Sequence, residues 1–189
     1  MSLEADLSIH QAAEPREERD RIRMVEFARR HPDPFDRAIR EGHFTGSGLV
    51  MSEDGSAVLL LHHAKLHRWL QPGGHGEPGE TRGESVAGRE VAEETGLTPR
   101  LHPTAPRPFD VDIHTIPARR LDQEHEHLDL RYLFVASPAE PLRPEPSPGP
   151  EGAVAEPPLR WFDAEEALAM DLDPGLKRMI RKAKAILAP

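Results

Sequence analysis

The chain has 189 residues, 37% of them hydrophobic, with 20 Pro, no Cys and a formal net charge of −9. That balance fits one domain with a sizeable core and polar, proline-rich connections. It excludes disulfides and thiolate chemistry, argues against a binder of nucleic-acid backbones, and leaves no run of about 18 apolar residues to span a membrane.

The N-terminus "MSLEADLSIHQAAEPREERDR" lacks a basic-then-apolar leader pattern, so a cytoplasmic location is expected. A small anionic substrate stays compatible with the negative charge, provided that a cation bridges the two. Residues 1–20 are polar and read as frayed or weakly helical. From Arg21, the spacing of Ile22, Val25, Phe27 and Ala28 predicts a short amphipathic helix ended by "HPDP". A second short helix is expected from Asp33 or Pro34, using Phe35, Ala38 and Ile39. Residues 1–43 together read as a partly flexible helical extension, and the main domain as 44–189.

"FTGSGLVMS" and "SAVLLLHH" predict a hairpin around "EDGS". "RWLQPGGHGEPGE" reads as a loop. Thr81-x-x-Glu84 has a capping-box pattern, predicting a helix from about Arg82 to Thr95 that Gly96 ends. "FDVDIH" and "EHLDLRYLFV" alternate as strands. The proline-rich stretch 137–158 is expected to be an exposed, mobile loop. "LRWF" is a further strand. Asp163 and Asp173 are expected to cap two C-terminal helices, the second with Pro174 at its first position. The irregular alternation of strands and helices gives an α/β or α+β class with a mixed sheet.

On a helix of about 100° per residue, Glu90, Glu93 and Glu94 share one arc, while Ala87, Gly88, Val91, Ala92 and Thr95 fill the opposite side. Three carboxylates at i, i+3 and i+4 near a helix C-terminus repel one another and oppose the helix dipole. A solvated acidic face is one reading of them. A site for a hard divalent cation, which would relieve the repulsion, is the other.

The surrounding text favours the second. Gly74, five residues, Glu80, then "REVAEETGL" from Arg89 to Leu97, preceded by "WLQPGG", resembles the Nudix hydrolase signature. The spacer between Glu80 and Arg89 is eight residues where the signature has seven. The flanking strands and last helices also sit where that family has them, so the resemblance covers about Phe44 to the C-terminus. It implies the Nudix fold, an α/β/α arrangement with a mixed sheet between helices.

The same resemblance implies hydrolysis of a nucleoside diphosphate linked to another group, with Mg²⁺ or Mn²⁺ as cofactor. Glu90, Glu93 and Glu94 would be the metal-binding carboxylates, and the Gly73 carbonyl a further ligand. Arg89 would brace a helix glutamate by an ion pair, and Glu80 would sit in the loop leading to the helix. Where the family uses a helix glutamate as general base, Glu90 and Glu93 are at hand. Where it uses a distant loop, Glu124 and Glu126 are the candidates. Homodimers are common in the family, so a second copy of the chain is a candidate partner, whereas no nucleic-acid polymer is expected.

Outside the signature, Asp110, Asp112 and His114 share one strand face, and His125, His127, Asp129 and Arg131 another. Alternation alone predicts solvated faces. The functional reading makes both faces a substrate pocket, with Arg131 on a phosphate and the histidines on a base or sugar. Lys65 and His75 are the best placed of the loop cations for phosphate; His62, His63 and His67 lie in the same region. Trp69 and Trp161 read as core or loop anchors.

A Nudix-fold module that binds a nucleotide without cleaving it is the alternative. Loss of the helix glutamates would favour it, and all three are present. An isomerase-like use of the fold, which in that family relies on a Cys, is ruled out here. The surplus residue is expected in "TRG", where Gly83 can adopt unusual backbone angles, or as a π-type widening near Gly88.

Overall fold

The computed structural model describes residues 3–63, 66–98, 100–118, 123–145, 147–148, 154–155 and 158–188. They cluster into two compact units. One comprises Met1–Ser47, Gly74–Ala87 and Pro106–Tyr132, and the other Gly48–Gly73, Gly88–Ala105 and Leu133–Pro189.

The first unit begins with α1 (Leu3–Ile9) and α2 (Pro15–Arg30). The polar stretch read as frayed or weakly helical is therefore helical over Leu3–Ile9 and from Pro15 onward, and buried polar groups tie it down. His10 bridges the Glu17 carboxylate at 2.9 Å and the Pro108 carbonyl at 3.0 Å, and Glu17 also accepts from the Ala13 N–H at 2.7 Å. Charge patterning hid this, because Glu17 and Asp20 are buried while Ile22, read as a core position, is 44% exposed. The second helix expected from Asp33 is absent. Residues 33–39 form successive turns, and Phe35 alone is buried there.

After these turns come the first part of β1 (Gly42–Met51), the end of β4 (Gly73–His75), β6 (Asp110–Ile116) and most of β7 (His125–Val135). β6 and β7 are antiparallel, pairing Asp110 with Arg131 and His114 with His127. β6 pairs no further strand among those described, and Asp20 of α2 accepts the Ile113 N–H at 3.3 Å. A helix carboxylate thus takes up a strand-edge donor that would otherwise be left unpaired. Phe44, Phe109, Val111, Leu130, Met24 and Leu7 make the core of this unit.

The second unit holds the hairpin of β1 with β2 (Ala57–His63), in register Val50 to Leu59 and Met51 to Val58. Gly55, at φ +69°, and the Asp54 carboxylate, which accepts from the Ser52 and Ser56 hydroxyls, close its turn. β3 (Arg68–Leu70) pairs with β2, so "RWLQPGG", read as loop, is partly strand. There Trp69 packs edge-on to Phe162 at 4.8 Å, as an anchor. β5 (Arg100–Leu101) pairs with β7, and β8 (Ser147–Pro148) with β9 (Val154–Ala155). β10 (Leu159–Asp163) lies antiparallel on β2.

The strand order is β10-β2-β1-β7-β5, with β4 beside β1 and β6 beside β7. β1 and β7 run parallel: Glu126 N–H donates to the Glu41 carbonyl, and Ala136 N–H to that of Met51, so partner numbers rise together. The sheet is therefore mixed, as expected. α4 (Ala164–Ala169) and α5 (Pro174–Leu187) follow, with Asp163 and Asp173 accepting the predicted cap hydrogen bonds. Of the stretch expected as a mobile loop, residues 143–145 lie against the end of the central helix. Arg143 N–H donates to the Thr95 carbonyl and Glu145 N–H to that of Glu93. Much of 146–157 lies outside the described residues.

That central helix, α3 (Gly83–Thr95), is continuous α-helix, with no widening at Gly88. It starts at Gly83, placing Arg82 in the cap position expected for Thr81. The Arg82 carbonyl accepts from the Ser85 and Val86 N–H groups. In the first unit, a Cβ on Gly46 would meet the Gly83 carbonyl oxygen at 2.7 Å and the Ala87 nitrogen at 2.8 Å; one on Gly83 would meet Leu130 at 2.6 Å. In the second, a Cβ on Gly48 would run into Val91 and Phe134. Gly83 thus serves close packing, not unusual backbone angles. The left-handed residue in the approach to the helix is Gly79, at φ +93°. With the helix continuous from Gly83 to Thr95, only Thr81 and Arg82 of the eight-residue spacer lie outside it, next to a turn where Glu80 N–H donates to the Glu77 carbonyl and Glu77 N–H to the Glu80 carboxylate.

Because a methyl on Gly46 would strike helix backbone, Gly46→Ala is expected to destabilise the protein by roughly 1–3 kcal/mol. Urea unfolding should show a lowered midpoint with an unchanged slope.

Candidate functional site

The last two turns of α3 carry the carboxylate face. Val91 and Thr95 are buried, which turns Glu90, Glu93 and Glu94 away from the core. Arg89 Nη1 stands 2.9 Å from Glu90 Oε1 and 3.0 Å from Glu93 Oε2, so one guanidinium braces two glutamates. Glu94 is half-buried and accepts the Gly73 N–H at 2.9 Å. The helix is thereby joined to the glycine pair that opens the signature. Burial pushes the Glu94 carboxyl up, Gly73 works against it, and Glu90 and Glu93 add to the rise, leaving it at about 7. Three carboxylates share one helix face, two braced by Arg89 and the third, Glu94, held by Gly73 and costly to ionise in this setting. Carboxylate oxygens beside a backbone turn suit Mg²⁺ or Mn²⁺, so the residues present fit that class of ion.

The other expected site residues divide sharply. Asp110, Asp112, Asp129 and Arg131 are 0–4% exposed and satisfy one another. Arg131 reaches Asp129 at 2.8 Å, Asp112 at 3.2 Å and Asp110 at 3.4 Å. Thr45 and Ser47 of β1 also donate to Asp129. Alternation placed these four, expected as substrate-binding residues, on one face, and the structure shows that face covered, with their side chains engaged with one another. Burial raises the Asp112 carboxyl, but Arg131 and His114 more than offset it, leaving it at about 2. Arg131 is held firmly protonated by the three aspartates in spite of its burial.

Farther along the same face, His75, His125 and His127 meet His43 in a cleft of about 440 Å³ that Arg37 and Arg40 also line. The His75 and His127 Nε2 atoms are 3.1 Å apart, and the His43 and His125 rings stack at 5.2 Å. Burial foremost, then the neighbouring His75, His125 and Arg37, lowers His43 to about 4. His75 is lowered to about 4 and His127 to about 2, again chiefly by burial. His43 is 3% exposed, and neither of its ring nitrogens has a hydrogen-bond partner among the described residues. Leaving a buried polar atom unpaired costs roughly 1–3 kcal/mol. Sequence reading missed His43, although it continues the period-2 face of Thr45 and Ser47 on β1. Arg37, on the turns before β1, carried no such signal.

His114 is exposed, 3.4 Å from Asp112. Glu126 lies inside β7 and not in the stretch before it, and Arg23 holds it at 2.6 Å, which corrects its placement as a loop base. Glu124 is exposed just before β7, and Glu80 sits in its own turn. Lys65 lies outside the described residues.

Two outcomes test these assignments. Glu94 has its folded value raised, so its contribution is fully present below about pH 4.5 and lost as pH rises through about 7. In chelator, wild type should therefore lose about 3 kcal/mol relative to Glu94→Gln across that window, read by denaturant titration at several pH values. Arg131→Met strands three buried carboxylates and should cost about 3–5 kcal/mol, seen as a lowered thermal midpoint.

The NUDIX domain family model matches residues 42–183. A NUDIX-family hydrolase from Clostridium perfringens is 25% identical, with 78% of this chain and 99% of that one covered at TM-score 0.53. A Caenorhabditis elegans Ap4A hydrolase is 19% identical, with 77% and 98% covered at TM-score 0.52. The NUDIX domain of Shewanella oneidensis NrtR, solved with ADP-ribose, is 19% identical, with 87% and 98% covered at TM-score 0.53. Matched over most of its length by the family model and carrying an unbroken Arg89–Leu97 helix motif, the chain belongs to the NUDIX family and is a Nudix hydrolase.

Proposed function

We propose that the chain is a Mg²⁺- or Mn²⁺-dependent phosphohydrolase that cleaves a diphosphate linkage in a small nucleotide or nucleoside diphosphate linked to a second group. The observation that carries this reading is the convergence of Glu90, Glu93 and Glu94 on one helix face, with Glu94 held by the Gly73 N–H. Glu90, Glu93 and Glu94 bind the ion, together with the Gly73 carbonyl. When bound, it neutralises phosphate charge and polarises an attacking water.

Arg89 positions Glu90 and Glu93 through its two ion pairs and limits their mutual repulsion before the ion arrives. Glu80 shapes the approach to the helix through its turn. As general base we assign a helix glutamate, with exposed Glu124 as the distant candidate; Glu126 is engaged by Arg23. His75, His125 and His127 remain the proposed substrate-facing residues, because they line an open cleft with Arg37 and Arg40. No helix among the described residues is long and apolar enough to cross a membrane. With no Cys in the chain, the cytoplasm is the proposed location.

Hydrolysis of a panel that includes Ap4A, ADP-ribose, nucleoside triphosphates and sugar nucleotides, with Mg²⁺ or Mn²⁺, tests the reading. At least one member should turn over. Glu93→Gln should then lose about 10²–10³-fold in kcat while keeping its circular dichroism. Turnover that persists in excess EDTA would sink the metal dependence. Tight nucleotide binding without turnover of any member would instead support a non-cleaving regulatory module.

A further inference from the structure

We propose that His43, His125 and His127, with His75 beside them, bind a divalent transition-metal ion of the zinc class, using no ligand from α3. The four imidazoles come from β1, β4 and β7, and β1 pairs with β4 and neighbours β7. His125 and His127 are two residues apart on one face of their strand. One ring nitrogen from each of His43, His125 and His127 lies within 4.8 Å of the others. A tetrahedral ion with nitrogen ligands at about 2.0–2.1 Å needs them roughly 3.3 Å apart. The widest gap thus closes by small side-chain rotations. The His75 and His127 Nε2 atoms, 3.1 Å apart, already stand near that spacing.

Two further observations point to an ion and not to a chance gathering of rings. His43 is 3% exposed with both ring nitrogens unpartnered among the described residues, so it presents a buried lone pair that none of those residues uses. The His125 Nδ1 lies 2.9 Å from the Gln123 carbonyl. Donating that N–H turns the Nε2 lone pair outward, as the backbone carbonyls behind metal-bound histidines do.

The donor set also decides the class of ion. Neutral imidazoles suit zinc, copper, nickel and iron, whereas Mg²⁺ and Mn²⁺ favour carboxylate and water oxygens. Arg37 and Arg40 line the same cleft, and their charge opposes a loosely held cation. Affinity at this site therefore comes from strong metal–nitrogen bonds, which selects against Mg²⁺.

The test is a Co²⁺ titration of chelator-stripped protein at pH 7.5 with Mg²⁺ in excess, followed by visible absorption and by displacement with Zn²⁺. One equivalent should give the intense ligand-field bands of a four-coordinate site, and Zn²⁺ should abolish them. His125→Ala, at a half-buried position that tolerates truncation, and His75→Ala should each weaken Co²⁺ binding by about 10–100-fold or more. His43→Ala belongs to the same series if its circular dichroism matches wild type. Glu93→Gln should leave the titration unchanged. No saturable band in folded wild-type protein overturns the proposal. So does a band that survives His125→Ala and His75→Ala but disappears in Glu93→Gln, which would put the ion on α3. Phosphohydrolase activity enters neither arm, so failure here is distinguishable from failure of the proposed reaction.

Discussion

The close approach of α3 to the strands beneath it is the constraint on which the carboxylate site depends. Gly46 and Gly48 leave no side chain under the helix, and Gly83, Ala87 and Val91 present small groups to it. A helix seated on bare backbone has little freedom to rotate, because rotation would drive a larger side chain into peptide groups. Glu90, Glu93 and Glu94 therefore keep a fixed bearing although each has several rotatable bonds. Arg89 then draws two of the three together, and Gly73 holds the third. The steric requirement sets the direction of the acidic face, and electrostatics adjusts only the side chains on it.

The polar faces of β6 and β7 show how one alternating pattern serves two ends. At the Arg131 end the face is shut, and a guanidinium among three aspartates is bridged to hydroxyls of β1. Such a network is costly to desolvate, and it holds because nearly every donor finds an acceptor. At the other end the face opens into the cleft, where burial foremost, and then neighbouring positive charge, lowers His43, His75 and His127. The change from carboxylates to imidazoles along a few residues of β7 is thus a change from closed ion pairing to accessible lone pairs.

Much of the fold and of the acidic site was legible in the sequence. The "EDGS" hairpin, Asp163 and Asp173 as caps, Pro174 at a first helical turn, and the spacing from Arg89 to Leu97 are local signals, and each stands where local chemistry put it. Several of the failures share one cause, which is the burial of polar groups against partners far along the chain. Glu17 and Asp20 looked like solvated helix residues, yet Glu17 is buried with His10, whose ring also reaches the Pro108 carbonyl, and Asp20 accepts the Ile113 N–H, both from far along the chain. The three carboxylates around Arg131 lie on two strands, so the pairing of β6 with β7 is needed to see them together. His43 needed the neighbourhood of β1 and β7 to acquire meaning.

The stretch after Val135 carries a consequence for how this chain tolerates change. Loops rich in proline are ordinarily where length drifts without penalty. Here the backbone of Arg143 and Glu145 completes the last turn of α3, and Gly96, at φ +72°, has no room for a side chain against Arg143. The carbonyl that Glu145 engages belongs to Glu93 itself. Residues 143–145 are in effect a splint on the acidic helix. An insertion within them would slip the splint along the helix end, whereas the same insertion past residue 145 would leave it in place.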